Sequence, residues 1–234
     1  MSDVPSRVVC FDLGGVLVRI CQTWAEACAR AALPERNVEW LASDAWRSRR
    51  RLPGDRYQSG QLECSAYFGE LASLSDGLFS AAEFEQIHWA WTLDHYPGAL
   101  ELVRALNALP GVTTACLSNT NHAHWVRLVG ADGKNEYPAV AALRHQLASH
   151  LLRCCKPDAR IYDLAFNHFA GAQASDAVAS GLAPLRARDI VFFDDLPENV
   201  AAARAAGWTA FQVDPRGDTV TQIRASLAST GLVV

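Results

Sequence analysis

Four short stretches of the 234-residue chain place polar side chains directly after apolar runs. In the first, the run at residues 8–11 ends in Asp12, and Gly14 and Gly15 follow almost at once. Such a run predicts a buried strand, and the glycines predict a turn where the backbone approaches a ligand closely. A carboxylate at the carboxyl end of a strand lies where open α/β sheets bind ligands. Because burying an unpaired charge is costly, we expect Asp12 to have a chemical role.

The other three stretches each supply a different polar group. Ser118 and Asn119 offer a hydroxyl, an amide and the N–H groups of a new helix, which suit an oxyanion. The ammonium of Lys156, just before a predicted helix, suits either phosphate charge or a carboxylate. Asp194 and Asp195 follow a third apolar run. Acids gathered at one edge would repel one another without a hard cation, and Mg²⁺ favours such oxygen ligands.

Each stretch alone also has a purely structural interpretation. Asp12 could be a turn residue, Lys156 a solvated lysine at a helix start, and the remaining polar residues helix caps. The repeated placement of these groups behind predicted strands favours a shared site instead.

The elements that must position these residues alternate in type after residue 111. Strands are predicted at 112–117, 190–193 and 209–213, and helices at 98–109, 158–169 and 197–206. This alternation predicts an α/β fold, a Rossmann-like parallel sheet flanked by helices, with its strand ends at one edge.

Residues 20–94 have a different character. They contain five of the seven tryptophans and amphipathic segments at 24–33, 38–51 and 79–91, with no convincing strand. We therefore predict an inserted all-helical domain at 20–94 and a core domain formed by 1–19 and 95–234. The tryptophans are interpreted mainly as core residues, with Trp89 and Trp91 as candidates to face a cleft.

The composition of the chain limits the classes of molecule that we expect the protein to bind. The chain is half hydrophobic and carries a net charge of −4 with scattered basic residues, which argues against nucleic acid and anionic membranes. Its seven cysteines are an odd number without paired metal-ligand spacing. We expect a reduced, cytoplasmic protein that does not associate with a membrane, either a monomer or a homodimer.

The ordered stretches resemble the haloacid dehalogenase-like hydrolase superfamily over nearly the whole chain, and the helical insert resembles that family's smaller cap domain. A closer resemblance is to bacterial α-glucose-1-phosphate phosphatase-like members. It is carried by residues 11–17, 118–121 with His124 and Trp125, 156–162, and 192–195 with Asn199.

This resemblance implies a Mg²⁺-dependent phosphomonoester hydrolase acting on a small phosphorylated metabolite. Asp12 would be the nucleophile that becomes an aspartyl-phosphate, with Lys156 as the second catalytic residue. The phosphoryl group would be held by Gly14, Ser118, Asn119 and Lys156. The metal would be held by Asp12, the backbone carbonyl of Gly14, Asp194 and Asp195.

One position departs from most phosphatases of the superfamily: Gly14 replaces the aspartate that protonates the leaving oxygen. Losing such help often costs about 10²–10⁴ in rate. A substrate with a good leaving group, such as a sugar 1-phosphate, would need less protonation; otherwise His124 substitutes, or the protein only binds a metabolite or a partner. A dehalogenase would need no acid at all, but it would also not need the pair at 194–195.

The cap segment also carries a basic cluster, formed by Arg47, Arg49, Arg50 and Arg51. A solvated helix face is favoured over attraction of an anionic substrate.

Overall fold

The computed structural model describes residues 6–34, 38–180 and 183–234, and of residues 175–180 only the backbone. Residues 1–5 and 181–182 of the predicted core domain, and 35–37 of the predicted cap, lie outside the described residues.

A five-stranded parallel sheet forms the centre of the molecule. The strands are β1 (Arg7–Phe11), β2 (Val18–Ile20), β3 (Thr92–His95), β4 (Val112–Ser118), β5 (His145–Ala148), β6 (Ile190–Asp194) and β7 (Thr209–Gln212). The large sheet has the order β5-β4-β1-β6-β7, so β1 is its middle strand. In the register, Val9 pairs with Thr114 of β4 on one side and Val191 of β6 on the other. The ends of β1, β4 and β6 therefore lie next to one another.

The chain forms twelve α-helices within the described residues, and those of the core domain cover both faces of this sheet. The twelve helices are α1 (Trp24–Arg30), α2 (Glu39–Ala42), α3 (Asp44–Gln58), α4 (Cys64–Leu74), α5 (Ala81–Trp91), α6 (Ala99–Asn107), α7 (His122–Leu128), α8 (Pro138–Ala141), α9 (Ser149–Leu152), α10 (Ala159–Ser180), α11 (Pro197–Ala205) and α12 (Thr219–Ser229). Because strand side chains alternate, Val9 and Phe11 pack with α6 and α12. Cys10 faces the opposite side, in the cluster that contains α10 and α11.

The helices α1 to α5 form the inserted cap domain, which has its own apolar core. Trp46 and Phe84 are stacked at its centre with ring centroids 5.5 Å apart, and Trp24 packs edge-on against both. This core is separate from the two clusters of the sheet. The predicted fold class, a parallel α/β core with a helical insert, is thus confirmed.

Several details differ from the predictions. The expectation of no strand within 20–94 is wrong, because β3 pairs antiparallel with β2 at the base of the cap. The sequence prediction also missed β5, a four-residue edge strand that begins with polar residues. Helix α10 continues to Ser180, 11 residues beyond the predicted end at 169, through an alanine-rich segment of high helix propensity.

All seven cysteines are free thiols. Within the described residues, no helix combines the length and apolar character that crossing a membrane requires.

Candidate active site

The predicted strand-end residues meet at the carboxyl edge of the sheet. Asp12 follows β1, and its backbone N–H donates to the carbonyl of Phe193 in β6 at 2.8 Å. Ser118 ends β4, and its hydroxyl donates towards the Asp12 carboxylate. Asp194 ends β6 and is fully buried. Residues 76 or more positions apart in sequence are therefore brought together by the order of three adjacent strands.

Lys156 connects two of the acids. Its Nζ lies 3.1 Å from Asp12 Oδ2 and 2.6 Å from Asp194 Oδ2, and its side chain has no exposure to solvent. Burial by itself opposes the charged lysine, but the carboxylates of Asp12 and Asp194 outweigh it and raise the pKa of Lys156. The lysine is therefore an ammonium group held inside the protein, in contact with the predicted nucleophile.

A third acid completes the cluster. Oxygen atoms of Asp12, Asp194 and Asp195 lie within 4.8 Å of one another. Burial, opposed by Lys156 and assisted by Asp194, raises the pKa of Asp12 to about 6. Burial and the two neighbouring carboxylates raise the pKa of Asp195 to about 7.

The donor set of this cluster fits a hard divalent cation. Three carboxylates against one ammonium leave two uncompensated negative charges when all are ionised. At Asp195 the two neighbouring carboxylates add to the effect of burial in raising the pKa. Carboxylate oxygens are the ligands that such cations prefer.

Two asparagines hold these charged groups in place. Asn119 donates from Nδ2 to the carbonyl of Lys156 and accepts from its N–H, both at 2.8 Å. Asn199 donates to both oxygens of Asp194, at 2.9 and 3.1 Å. Both atoms of the Asn119 amide are thus engaged in positioning Lys156, although the sequence predicted Asn119 as a direct phosphate ligand. Asn199, in the first turn of α11, was not among the predicted site residues.

The turn after β1 is closely fitted to the acids. Gly15 has a φ of 76°, and a Cβ there would lie 2.7 Å from Asp195 Oδ2. Only glycine satisfies both constraints without strain. A Cβ at Gly14 would instead lie 3.4 Å from two carbon atoms of Ile20. A side chain at position 14 would therefore face an apolar group of β2.

A cavity of about 400 Å³ opens from this site into the cap, a volume typical of small-molecule sites. Five of the seven predicted site residues line it: Asp12, Gly14, Ser118, Asn119 and Asp195. Lys156 and Asp194 lie behind them, in contact with Asp12 or Asp195. The structure thus brings all seven predicted residues together.

Polar contacts hold the cap over the core. Tyr57 Oη donates to Asn121 Oδ1 at 3.1 Å, and Ser149 Oγ donates to the carbonyl of Gln58 at 2.6 Å. The backbones also meet directly: Gly60 has a φ of 68°, and a Cβ there would lie 2.6 Å from the carbonyl oxygen of His150. None of these contacts carries a recognisable sequence motif.

His124 is a poor substitute for the missing acid. Its Nε2 is 2.8 Å from the carbonyl of His88, and the two rings are stacked at 3.7 Å. Burial lowers the pKa of His124 to about 4, so the ring is neutral near pH 7. Of the two candidate cleft tryptophans, Trp91 lines the cavity, whereas Trp89 is 39% exposed and contacts Arg127.

This fold and this site define a parallel α/β hydrolase with a strand-end carboxylate and a helical cap. The sequence profile of haloacid dehalogenase-like hydrolases matches residues 6–207, and the chain belongs to that family. No curated protein sequence matches it significantly.

Solved structures agree with this assignment of the fold. The chain is similar to the HAD family enzyme bt-2542 of Bacteroides thetaiotaomicron (17% identity, 94% of this chain and 100% of that one, TM-score 0.68). The same enzyme has been solved in complex with magnesium and inorganic phosphate (16% identity, 91% and 96%, TM-score 0.64). The chain is also similar to L-2-haloacid dehalogenase from Xanthobacter autotrophicus with chloropropionic acid covalently bound (17% identity, 98% and 84%, TM-score 0.60).

Proposed function

We propose that this protein is a Mg²⁺-dependent phosphomonoester hydrolase that acts on a small phosphorylated metabolite through an aspartyl-phosphate. The observation that carries this proposal is the contact of Lys156 with both Asp12 and Asp194, beside a third acid, at the base of a cavity that extends into the cap. A nucleophile, a fixed positive charge and a cation-binding set are the parts that phosphoryl transfer requires.

In the first step, a carboxylate oxygen of Asp12 forms a bond to phosphorus while the ester P–O bond breaks. The leaving oxygen keeps the electron pair, and it takes a proton from water. In the second step, water adds to phosphorus, the bond to Asp12 breaks, and inorganic phosphate is released with the carboxylate restored. The ammonium of Lys156 and the hydroxyl of Ser118 stabilise the charge on the phosphoryl oxygens.

Asn119 and Asn199 are positioning residues in this scheme. Asn119 fixes the backbone of Lys156, and Asn199 orients the Asp194 carboxylate. The magnesium ion would be held by Asp12, the carbonyl of Gly14, Asp194 and Asp195. When bound, it supplies positive charge that offsets the acids and polarises the phosphoryl group. The complex of bt-2542 with magnesium and phosphate supports this assignment by analogy of fold.

The substrate must have a good leaving group. Gly14 offers no proton, Ile20 lies beside it, and His124 is neutral. A leaving oxygen that departs as an anion is favoured when its conjugate acid is more acidic than an ordinary alcohol. A sugar 1-phosphate satisfies this condition, and so does an aryl phosphate.

The proposed domains are a core at 1–19 and 95–234 and a cap at 20–94 that excludes water from the transfer step. We propose a cytoplasmic protein, a monomer or a homodimer, without nucleic-acid or membrane partners.

The test is a screen of phosphorylated metabolites that includes sugar 1-phosphates and an activated aryl phosphate, each with Mg²⁺ and with EDTA. We expect phosphate release that requires Mg²⁺ and favours acidic leaving groups. Absence of release from every compound would contradict the proposal.

A dehalogenase is the second candidate, since halide displacement needs no acid at position 14. The same preparation assayed for halide release from 2-haloacids separates the two. Release of halide without Mg²⁺, and no release of phosphate, would favour the dehalogenase. Tight binding of a metabolite without any turnover would instead favour a binding protein.

A further inference from the structure

The cap end of the cavity is apolar and aromatic, unlike the acidic end. Its cap-side lining includes Trp24, Tyr67, Phe68, Leu71, Phe84 and Trp91. Among the described residues that line the cavity, Arg50 is the only arginine or lysine. A guanidinium group in such surroundings is a conspicuous exception to the apolar character of this region.

Arg50 differs from Arg47 and Arg49 on α3 in having no ionic partner among the described residues, and from Arg51, which is exposed, in lining the cavity. Arg47 pairs with Asp44, and Arg49 pairs with Asp76 at 2.6 Å. Within the described part of the chain, no carboxylate pairs with Arg50, and its buried Nε makes no hydrogen bond. The predicted interpretation of this cluster as a solvated helix face therefore agrees with the exposed Arg47, Arg49 and Arg51 but not with Arg50, which lines the cavity.

The surroundings keep the guanidinium at the cavity. Arg50 Cζ lies 5.4 Å from the ring centroid of Trp24, which is a cation–π distance. Burial lowers the pKa of Arg50, because the charged guanidinium is less stable away from water. A buried donor without an acceptor is normally satisfied by a ligand or by water.

We propose that Arg50 is the specificity-determining residue of a leaving-group subsite, and that it binds a carboxylate carried by the substrate. The proposal rests on the phosphomonoesterase function proposed above. The substrate class is then a phosphomonoester whose leaving group is flat and apolar, with one carboxylate at the end away from phosphorus.

The charge and the lining favour this class over the alternatives. One guanidinium balances one carboxylate in a bidentate pair, whereas a second phosphate would bring about two negative charges at neutral pH. A sugar would present several hydroxyls to walls that are mostly hydrocarbon, and these hydroxyls would lose hydrogen bonds to water. An aromatic leaving group matches the aromatic walls and also departs readily without an acid at position 14.

The experiment compares two substrates that differ in one charge, 4-carboxyphenyl phosphate and its neutral isostere 4-carbamoylphenyl phosphate. The ratio of their kcat/KM values is measured with Mg²⁺ for the wild type, Arg50→Gln and Arg50→Lys. Arg51→Gln is the matched control, because Arg51 is the next residue on the same helix, is exposed and does not line the cavity. Each ratio comes from one preparation, so it does not depend on the folded fraction.

We expect the wild type to prefer the carboxylate by about 10- to 100-fold, the range for a charge-assisted pair. Arg50→Gln should bring the ratio close to one, Arg50→Lys should keep part of it, and Arg51→Gln should keep all of it. An unselective wild type, or an equal loss of preference in Arg51→Gln, overturns the proposal. So does a preference that survives in Arg50→Gln.

If neither compound is hydrolysed, the metabolite screen decides the proposed function, and the subsite is tested separately by binding. Calorimetry with 4-hydroxybenzoate and 4-hydroxybenzamide should then show the same preference in the wild type and its loss in Arg50→Gln. Equal or absent binding of the two compounds by the wild type overturns the subsite as well.

Discussion

The charged groups at the two ends of the cavity differ in whether they are paired. The core end is the acidic end at the edge of the sheet, and the cap end is the aromatic end. At the core end, Lys156 contacts two carboxylates, and Asp194 also accepts from Asn199 and from the N–H of Leu196. At the cap end, Arg50 faces the cavity from among aromatic rings without an ionic partner. On the proposed function, the fold alone fixes the groups for the chemical step, whereas the group that selects a substrate gains its ionic partner only when that substrate binds.

The largest effect is expected at Asp12, the proposed nucleophile. Asp12→Asn keeps the shape of the side chain but removes the attacking charge, so kcat should fall by about 10⁴-fold or more. The measurement is phosphate release with saturating Mg²⁺ from whichever compound the wild type hydrolyses best. Asp163→Asn, an exposed acid on α10, is the matched control and should retain full activity. If the kcat of Asp12→Asn were within tenfold of the wild-type value, Asp12 would not be the nucleophile.

The second-largest effect is expected on stability, when the buried ammonium group of Lys156 is removed. Lys156→Met leaves Asp12 and Asp194 facing each other without a cation, and breaking such a pair costs about 3–5 kcal/mol of unfolding free energy. Urea unfolding in EDTA measures this loss. The exposed Lys134 provides the control, because Lys134→Met should change the stability very little. Similar losses in both variants would mean that the contacts of Lys156 do not stabilise the core end.

A smaller, pH-dependent effect is expected at the third acid. The pKa of Asp195 is raised from 3.8 to about 7, so its contribution to stability is present at low pH and is lost as the pH rises through that range. Asp195→Asn removes this loss. In EDTA, the Tm advantage of Asp195→Asn over the wild type should therefore grow from about pH 5 to about pH 8. Mg²⁺ should reduce or reverse the advantage, because the wild type alone keeps the full set of ligands.

A Tm difference that is unaffected by pH and by Mg²⁺ would show that the cluster has no excess negative charge to relieve. The charge comparison between the two ends of the cavity would then need revision.

The smallest effect concerns the attachment of the cap. Tyr57→Phe removes the hydrogen bond to Asn121 and should lower the unfolding free energy by about 1 kcal/mol. Tyr57 Oη also lies 3.1 Å from Cys64 Sγ, so Cys64→Ala serves as the control that spares the Asn121 bond. The loss in Tyr57→Phe should exceed that in Cys64→Ala. The reverse order would assign the stabilisation to the sulfur contact within the cap.

The core end could be read largely from the sequence because its residues follow buried strands. Asp12, Ser118 and Asp194 come directly after or at the end of apolar runs, and parallel strands with right-handed crossovers bring such ends to one edge. The sequence could not predict which of these polar groups form hydrogen bonds with one another. Both atoms of the Asn119 amide bond to the backbone of Lys156, and this pairing depends on a loop 37 residues further along the chain.

The cap end could not be read in the same way. Arg49 and Arg50 are identical in type and adjacent, yet Asp76 from beyond α4 reaches only Arg49. Which arginine faces the cavity depends on the rotation of α3 and on the position of that distant carboxylate. The short strands β2 and β3 escaped prediction for a related reason, since three or four residues give too little alternation to recognise.

The close approach of Gly60 to the carbonyl of His150 limits how this enzyme can change. The walls of the cap end consist of side chains, and each of them could be exchanged to suit a new metabolite. At Gly60 the two domains touch through their main chains, and any larger residue would push them apart. A cap grafted from another protein would therefore have to bring a glycine to this point, whatever molecule it was meant to recognise.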